Sequence, residues 1–161
     1  MEPSTVYDTL RGSSLAAQLD DEQCRTLAGI GEARRLAADE VLIAEGHTDR
    51  AFHLVTEGMI AVTRDCGCGE WTTLALLRPG DLAGEMGFVT GRPHSASLRA
   101  VGEAGVISFD RERVEALLQD QPWIVYRLMQ AIVQAVHQIL RRMNAQYVEM
   151  ANYITKQHGR Y

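Results

Sequence analysis

Between residues 40 and 109 the chain alternates short apolar runs with turn residues about every eight to twelve positions, and no other feature constrains the fold as strongly. The runs fall at residues 41–43, 51–55, 59–63, 72–77, 97–101 and 106–109. The breaks fall at 45–49, at Glu57-Gly58, at 65–69, at Pro79-Gly80-Asp81 and at 102–105. Runs this short, punctuated this often, predict an all-β sandwich or barrel of the jelly-roll kind.

The flanks have a different period. Leu15, Ala16 and Leu19 make one apolar stripe. Cys24, Leu27 and Ala28 make a second, with an acidic start at Asp21 and with Gly29 and Gly31 at its end. After the β region, Asp110 is the expected N-cap of a short helix through Val114, Leu117 and Leu118. Asp120 and Pro122 then open a long helix to about residue 155, with Gly159 as its stop signal. The expected architecture is mainly β with flanking helices. Residues 1–35 form an N-terminal helical segment, 36–109 the β-barrel, and 110–161 a short helix, a long C-terminal dimerisation helix and a tail.

The long helix carries a seam. Met129, Ile132, Val136, Ile139 and Met143 are spaced 3-4-3-4, and Tyr147, Met150 and Ile154 continue after one four-residue step. About 33 helical residues span ~50 Å, more than a small barrel covers. The expected cover is the same helix of a second subunit, giving a homodimer. The alternative is that the first half packs on its own barrel and the second half on another protein. From residue 122 onward Arg127, Arg141, Arg142, Lys156 and Arg160 face only Glu149, so this arm is +4 and the rest of the chain is −9. The expected role of these charges is a solvated face near a helix C-terminus.

Composition removes several classes. A net charge of −5 is a poor basis for nucleic-acid binding, so no direct DNA contact is expected. No apolar run approaches the ~20 residues of a membrane span, and Met1-Glu2-Pro3-Ser4 lacks a signal-peptide layout. Three cysteines, an odd number, point to a reducing cytoplasm. At 161 residues there is little room for a sensor together with a full catalytic or DNA-binding domain.

The most informative stretch runs Gly80-Asp81-Leu82-Ala83-Gly84-Glu85-Met86-Gly87 and continues to Arg92-Pro93-His94-Ser95-Ala96-Ser97. It resembles the phosphate-binding cassette of cyclic nucleotide-binding domains, such as the sensor domains of Crp/Fnr-like proteins, here without the DNA-binding domain. The likeness covers about residues 10 to 145. It is diffuse in the strands and specific in the cassette. It implies a cupin-like jelly-roll barrel with a long C-terminal helix, and a cyclic nucleotide, cyclic AMP or a relative, as ligand.

In that reading Gly84 and Gly87 let the backbone approach the phosphate, and amides beside Met86 and Ala96 donate to it. Ser95 adds a hydroxyl, and Glu85 accepts a ribose hydroxyl. The family pairs the phosphate with an arginine through two parallel bonds; this sequence has His94 there. Losing that pair costs about 1.5–3 kcal/mol, on the order of tenfold to over a hundredfold in affinity. Arg92, two residues earlier, shares the face on an extended segment and is either a substitute cation or an exposed loop charge. The matching lid region, 136–143, offers mainly Ile139, Leu140 and Met143, suited to stacking on a base or to a dimer seam.

Other candidates carry less. Cys66-x-Cys68 sits in a Gly-rich turn; it is a soft-metal or redox pair, or a plain surface turn. The four ligands of a structural zinc site are not visible, so no metal and no cofactor is expected. His53 reads as a hydrogen-bonded core residue. No nucleophile–base constellation stands out, so no enzyme is expected. The expected function is a stand-alone cyclic nucleotide-binding-like regulatory sensor that signals through a protein partner. The alternative is an orphan member, a dimeric scaffold or adaptor, or a sensor of a different ligand.

Overall fold

Two long antiparallel strands form the spine of the molecule in a computed structural model that describes residues 3–158. The helices are α1 (Pro3–Arg11), α2 (Asp21–Ile30), α3 (Glu85–Thr90), α4 (Arg111–Asp120) and α5 (Pro122–His158), with a 3-10 turn at Ser14–Gln18. The strands are β1 (Gly31–Leu36), β2 (Val41–Ile43), β3 (Ala51–Gly67), β4 (Glu70–Leu77), β5 (Leu82–Ala83) and β6 (Ser97–Asp110). All pairings are antiparallel, in the order β1-β6-β3-β4, with β2 on β6 and β5 on β3. The result is a jelly-roll-like β fold with helices at one end and a long C-terminal helix, as the turn spacing predicts.

Three local expectations are corrected. The predicted breaks at Glu57-Gly58 and at 102–105 are bends inside continuous strands. Register shifts on either side of Glu57 mark the bend, and Gly58 holds φ at 67°, where an added Cβ would meet the Glu103 carbonyl. Such a bulge re-aims a strand without ending it. Strand β1 begins inside the segment assigned to helices. Its Glu32, Ala33, Arg34 and Arg35 are exposed, so no apolar alternation announces it, and pairing from Gly31↔Phe109 to Leu36↔Ala104 creates it. The predicted stop at Gly159 and the end of the tail lie outside the described residues.

The caps match the sequence. Asp110 accepts the Glu112 and Arg113 amides at the start of α4. Asp20, one residue before the acidic start, forms a capping box with Gln23. Two cores result. One joins the helices to the barrel end and is built on Phe52, stacked on Phe109 at 4.8 Å and edge-on to Phe88 at 4.9 Å. The other fills the barrel with Leu36, Ile43, Val55, Ile60, Leu77, Leu98 and Val106.

The long-helix seam divides. Ile132 is 2% exposed and lies in the protomer's own core, with Met129 packed against it, so Ile132 is not available to a second subunit. The reason is reach, because this part of α5 packs into the core shared with Leu15 and Ala16 of the 3-10 turn and Val114 of α4. Tyr147, Met150 and Ile154 are exposed at 68%, 59% and 54%. Among the described residues, no helix is long and apolar enough to cross a membrane.

Candidate ligand-binding site

The cassette is built around a glycine at which any side chain would be strained. Gly84 caps α3 at φ 75°, and an added Cβ would collide with the Ile43 side chain. The chain enters through buried Leu82 and Ala83, paired with Leu54 and His53 of β3 respectively. It leaves α3 through Gly91, also left-handed, while Phe88 anchors the helix in the aromatic core. The following loop is pinned by its backbone. The His94 N–H donates to the His47 carbonyl at 2.9 Å, and the Gly46 N–H donates to the His94 carbonyl at 2.8 Å. The Ser97 hydroxyl accepts the Glu45 N–H at 2.9 Å.

Between cassette, barrel and α5 lies a cavity of about 560 Å³, within the usual range for small-molecule pockets. Gly84, Glu85, Met86, His94, Ser95 and Ala96 form one side. The barrel wall supplies Val62, Leu74, Ala75, Leu77 and Leu98, and α5 supplies Val136, Ile139, Leu140 and Met143. Gly87 is buried beneath this surface, and Arg92 is exposed and does not line it. Val136, Ile139 and Met143, assigned by spacing to a dimer seam, therefore face the protomer's own cavity. The barrel-wall residues escaped sequence reading. Strand β4 is exposed along most of its length, so no alternation marks its pocket face.

The polar end is unusual. Burial holds the Glu85 carboxyl above the ordinary carboxylate range, opposed only by its own backbone amide. Burial pushes the His94 imidazole below its ordinary value; Asp49 opposes the shift and His53 adds to it. The His94 Nε2 is buried without a hydrogen-bond partner, and the ring rests on Gly87, where a Cβ would collide with it. Among the described residues no Arg or Lys lines the cavity. The site thus presents a carboxyl, an imidazole whose charged form burial disfavours, and a hydroxyl against an apolar remainder.

A second polar chain lies behind it. His53 is buried, with Nδ1 2.8 Å from the Ser108 hydroxyl and Nε2 3.1 Å from Asp49. Its hydrogen bond holds the Asp49 carboxyl below the usual range. This is the satisfied core histidine that the sequence predicts, and neither His53 nor Ser108 lines the cavity.

The lid is tied down by a contact invisible in the sequence. Arg142 donates to both Asp81 oxygens at 3.2 and 3.3 Å, and Asp81 also accepts the Arg78 N–H at 3.0 Å. Arg127 donates to the Gln18 carbonyl at 2.7 Å. Two charges expected on a solvated face are therefore engaged within the protomer.

Comparison with known proteins agrees with this geometry. The family model described as "Cyclic nucleotide-binding domain" matches residues 33–121. The chain is 27% identical over 107 residues to a cAMP-dependent protein kinase regulatory subunit of Dictyostelium discoideum, covering 65% of this chain and 33% of that protein. It is 29% identical over 119 residues to a cyclic AMP receptor protein of Thermus thermophilus, covering 74% and 55%. The chain thus spans about a third to a half of the length of these curated relatives. Among solved structures, a cyclic nucleotide-binding domain from Methylobacillus flagellatus superposes with a TM-score of 0.79 at 20% identity, covering 92% of this chain and 83% of that one. At that identity the likeness speaks for the fold alone.

Proposed function

The chain belongs to the cyclic nucleotide-binding domain family, and from that premise we propose that it is a regulatory sensor module whose ligand is held between the cassette and α5. One observation carries this reading. The cassette residues and the α5 lid line the same cavity, so one molecule would touch both, and its arrival or departure would be felt along α5.

The proposed ligand is cyclic AMP or a related cyclic nucleotide. Its phosphate would meet Ser95 and the amides beside Met86, Gly87 and Ala96, and Glu85 would accept a ribose hydroxyl. His94 would stand in for the arginine of the family. A phosphate monoanion beside Nε2 gives this nitrogen the partner that it lacks and favours the imidazolium. Binding then takes up a proton. Affinity is greatest at low pH and falls as pH rises, until His94 is neutral in the complex as well. Calorimetric titration of cyclic AMP and cyclic GMP at pH 6 and pH 8 tests this. Heat at pH 6 that weakens at pH 8 is expected, and no binding at millimolar ligand at either pH would end the reading.

A second reading is favoured by the absence of an Arg or Lys among the described lining residues. There the protein keeps the fold as an orphan scaffold or adaptor, or takes a different ligand. Recovery of nucleotide binding in His94→Arg would mark a pocket disabled at one position.

The output is proposed to run through α5. Tyr147, Met150 and Ile154, with Met143 at the cavity edge, form an open face that a second copy would cover, making a homodimer; an as yet unidentified protein partner would receive the signal. Light scattering should return about twice the 17.8 kDa of the chain. A mass of one chain would reject the dimer. The proposed setting is the cytoplasm, with no catalysis and no direct contact with DNA or membrane.

A further inference from the structure

The β3–β4 hairpin closes on a turn that a cysteine does not suit. Gly67 and Glu70 are its last paired residues, and the two between them, Cys68 and Gly69, hold φ at 61° and 77°. Positive φ at both central positions is the signature of a type I′ turn, whose first position favours Asn, Asp or Gly. A non-glycine residue there is uncommon and invites a functional explanation. The second cysteine is two residues away. Cys66 falls at the register shift between Asp65 and Gly67, outside the cross-strand ladder, and hydrogen-bonds the Thr72 hydroxyl at 2.9 Å. Both thiols are free and exposed, whereas Cys24 is buried.

Two sulfurs are all that this site holds. Among the described residues no group of three His, Cys, Asp or Glu side chains is placed to hold a metal ion, and a structural zinc site needs four ligands. A dithiol–disulfide couple needs only two. Cα atoms two residues apart are at most about 7 Å from one another. A disulfide spans about 4.4–6.8 Å, and the irregular backbone of this hairpin end shortens the distance from its extended limit.

We propose that Cys66 and Cys68 form a reversible thiol–disulfide pair that exchanges with low-molecular-weight disulfides. One thiolate attacks a sulfur of glutathione disulfide, forming a mixed disulfide and releasing one glutathione thiolate. The other cysteine thiolate attacks the protein-side sulfur, closing the intramolecular bond and releasing the second glutathione. The cysteine pair loses two electrons and two protons, and the glutathione disulfide gains them. A ring this small is strained and the site is exposed, which places the bond among the readily reduced, switchable kind.

The pair sits where its state would be felt. Strand β4 carries Leu74, Ala75 and Leu77 into the cavity wall. On the other strand the Asp65 N–H donates to Glu45, which also pairs with Arg64 and whose own N–H donates to Ser97, beside the cassette loop. Closing the bond takes Cys66 Sγ out of its thiol hydrogen bond with Thr72, in the hairpin that joins these two walls.

The test equilibrates the full chain in graded mixtures of reduced and oxidised glutathione, traps free thiols with N-ethylmaleimide, and reads intact and peptide masses. The expected result is loss of both alkylations from the hairpin peptide, a mass about 2 Da lower there, and unchanged labelling of Cys24 after denaturation. Cys66→Ser and Cys68→Ser should each halt at the glutathione adduct. An adduct that persists in the wild-type chain, a disulfide only between chains, or two free thiols at the most oxidising ratio would each overturn the proposal. None of these outcomes depends on whether a cyclic nucleotide binds.

Discussion

The two halves of α5 carry the same apolar spacing and meet different surroundings. Ile124, Leu128 and Ile132 are buried in the core shared with α1, α2 and α4. Val136, Ile139, Leu140 and Met143 cover the cavity, and Tyr147, Met150 and Ile154 are more than half exposed. A heptad-like period states that a face will be covered. It does not state by what, because that depends on how far the barrel and its flanking helices reach along the 37-residue helix. The widest test of this contrast substitutes one residue from each half. Ile132→Ala should cost about 2–5 kcal/mol of protomer stability in urea unfolding, as a buried truncation that leaves a cavity does. Met150→Ala, at a residue 59% exposed, should change the same quantity by no more than about 0.5 kcal/mol under conditions where the chain is monomeric. Equal losses would mean that the distal half is part of the protomer fold.

The middle segment, over the cavity, can be separated from both ends by ligand affinity. His94→Arg places a permanent cation opposite the lid and should tighten cyclic AMP by about tenfold to over a hundredfold, leaving the oligomeric state unchanged. No gain would mean that the guanidinium cannot reach the phosphate from this loop. The wild-type pH dependence is the next smaller effect. The His94 imidazole is held below its ordinary value in the free protein and would be raised in the complex, so affinity should fall by up to about tenfold per pH unit between those two values. The sign for the free protein is opposite. Because burial depresses the folded value, its contribution to stability is complete above about pH 6.5 and is lost as pH falls below it. Calorimetry gives the first slope and urea midpoints at several pH values give the second. A binding constant flat from pH 5.5 to 8 would remove His94 from phosphate recognition.

What could be read from the sequence divides along the same lines. The cassette was legible because most of its constraints are local. Gly84 is the left-handed cap of the helix that starts at Glu85, Gly87 leaves space for the His94 ring seven residues later, and both are fixed in spacing to Glu85 and Ser95; only the contact of Gly84 with Ile43 is distant. The rhythm of the barrel was legible for the same reason. Strand β1 was not, because it is polar and exists through pairing with β6, about seventy residues later in the chain. The unbroken course of β3 was hidden too, since Gly58 reads as a turn and acts as a bulge. Ile132 and Met150 were indistinguishable, as both satisfy the same period. Arg142 read as a solvated charge because its partner, Asp81, is 61 residues away.

That ion pair gives the smallest and most local of the tests. Arg142 lies between Leu140 and Met143, and Asp81 lies three residues before Gly84, so the pair ties lid to cassette at the point where buried α5 becomes exposed α5. Both side chains are partly solvated, and a pair of this kind contributes about 1 kcal/mol or less. Arg142→Ala should therefore barely move the urea midpoint. It should instead raise the population of open lid, because local opening costs less than global unfolding. Amide hydrogen exchange should quicken across 136–146 and remain unchanged across 124–132, where the core holds the helix whatever the lid does. Equal acceleration in both stretches would mean that α5 moves as one rod, and that the boundary between its halves is a difference of burial alone.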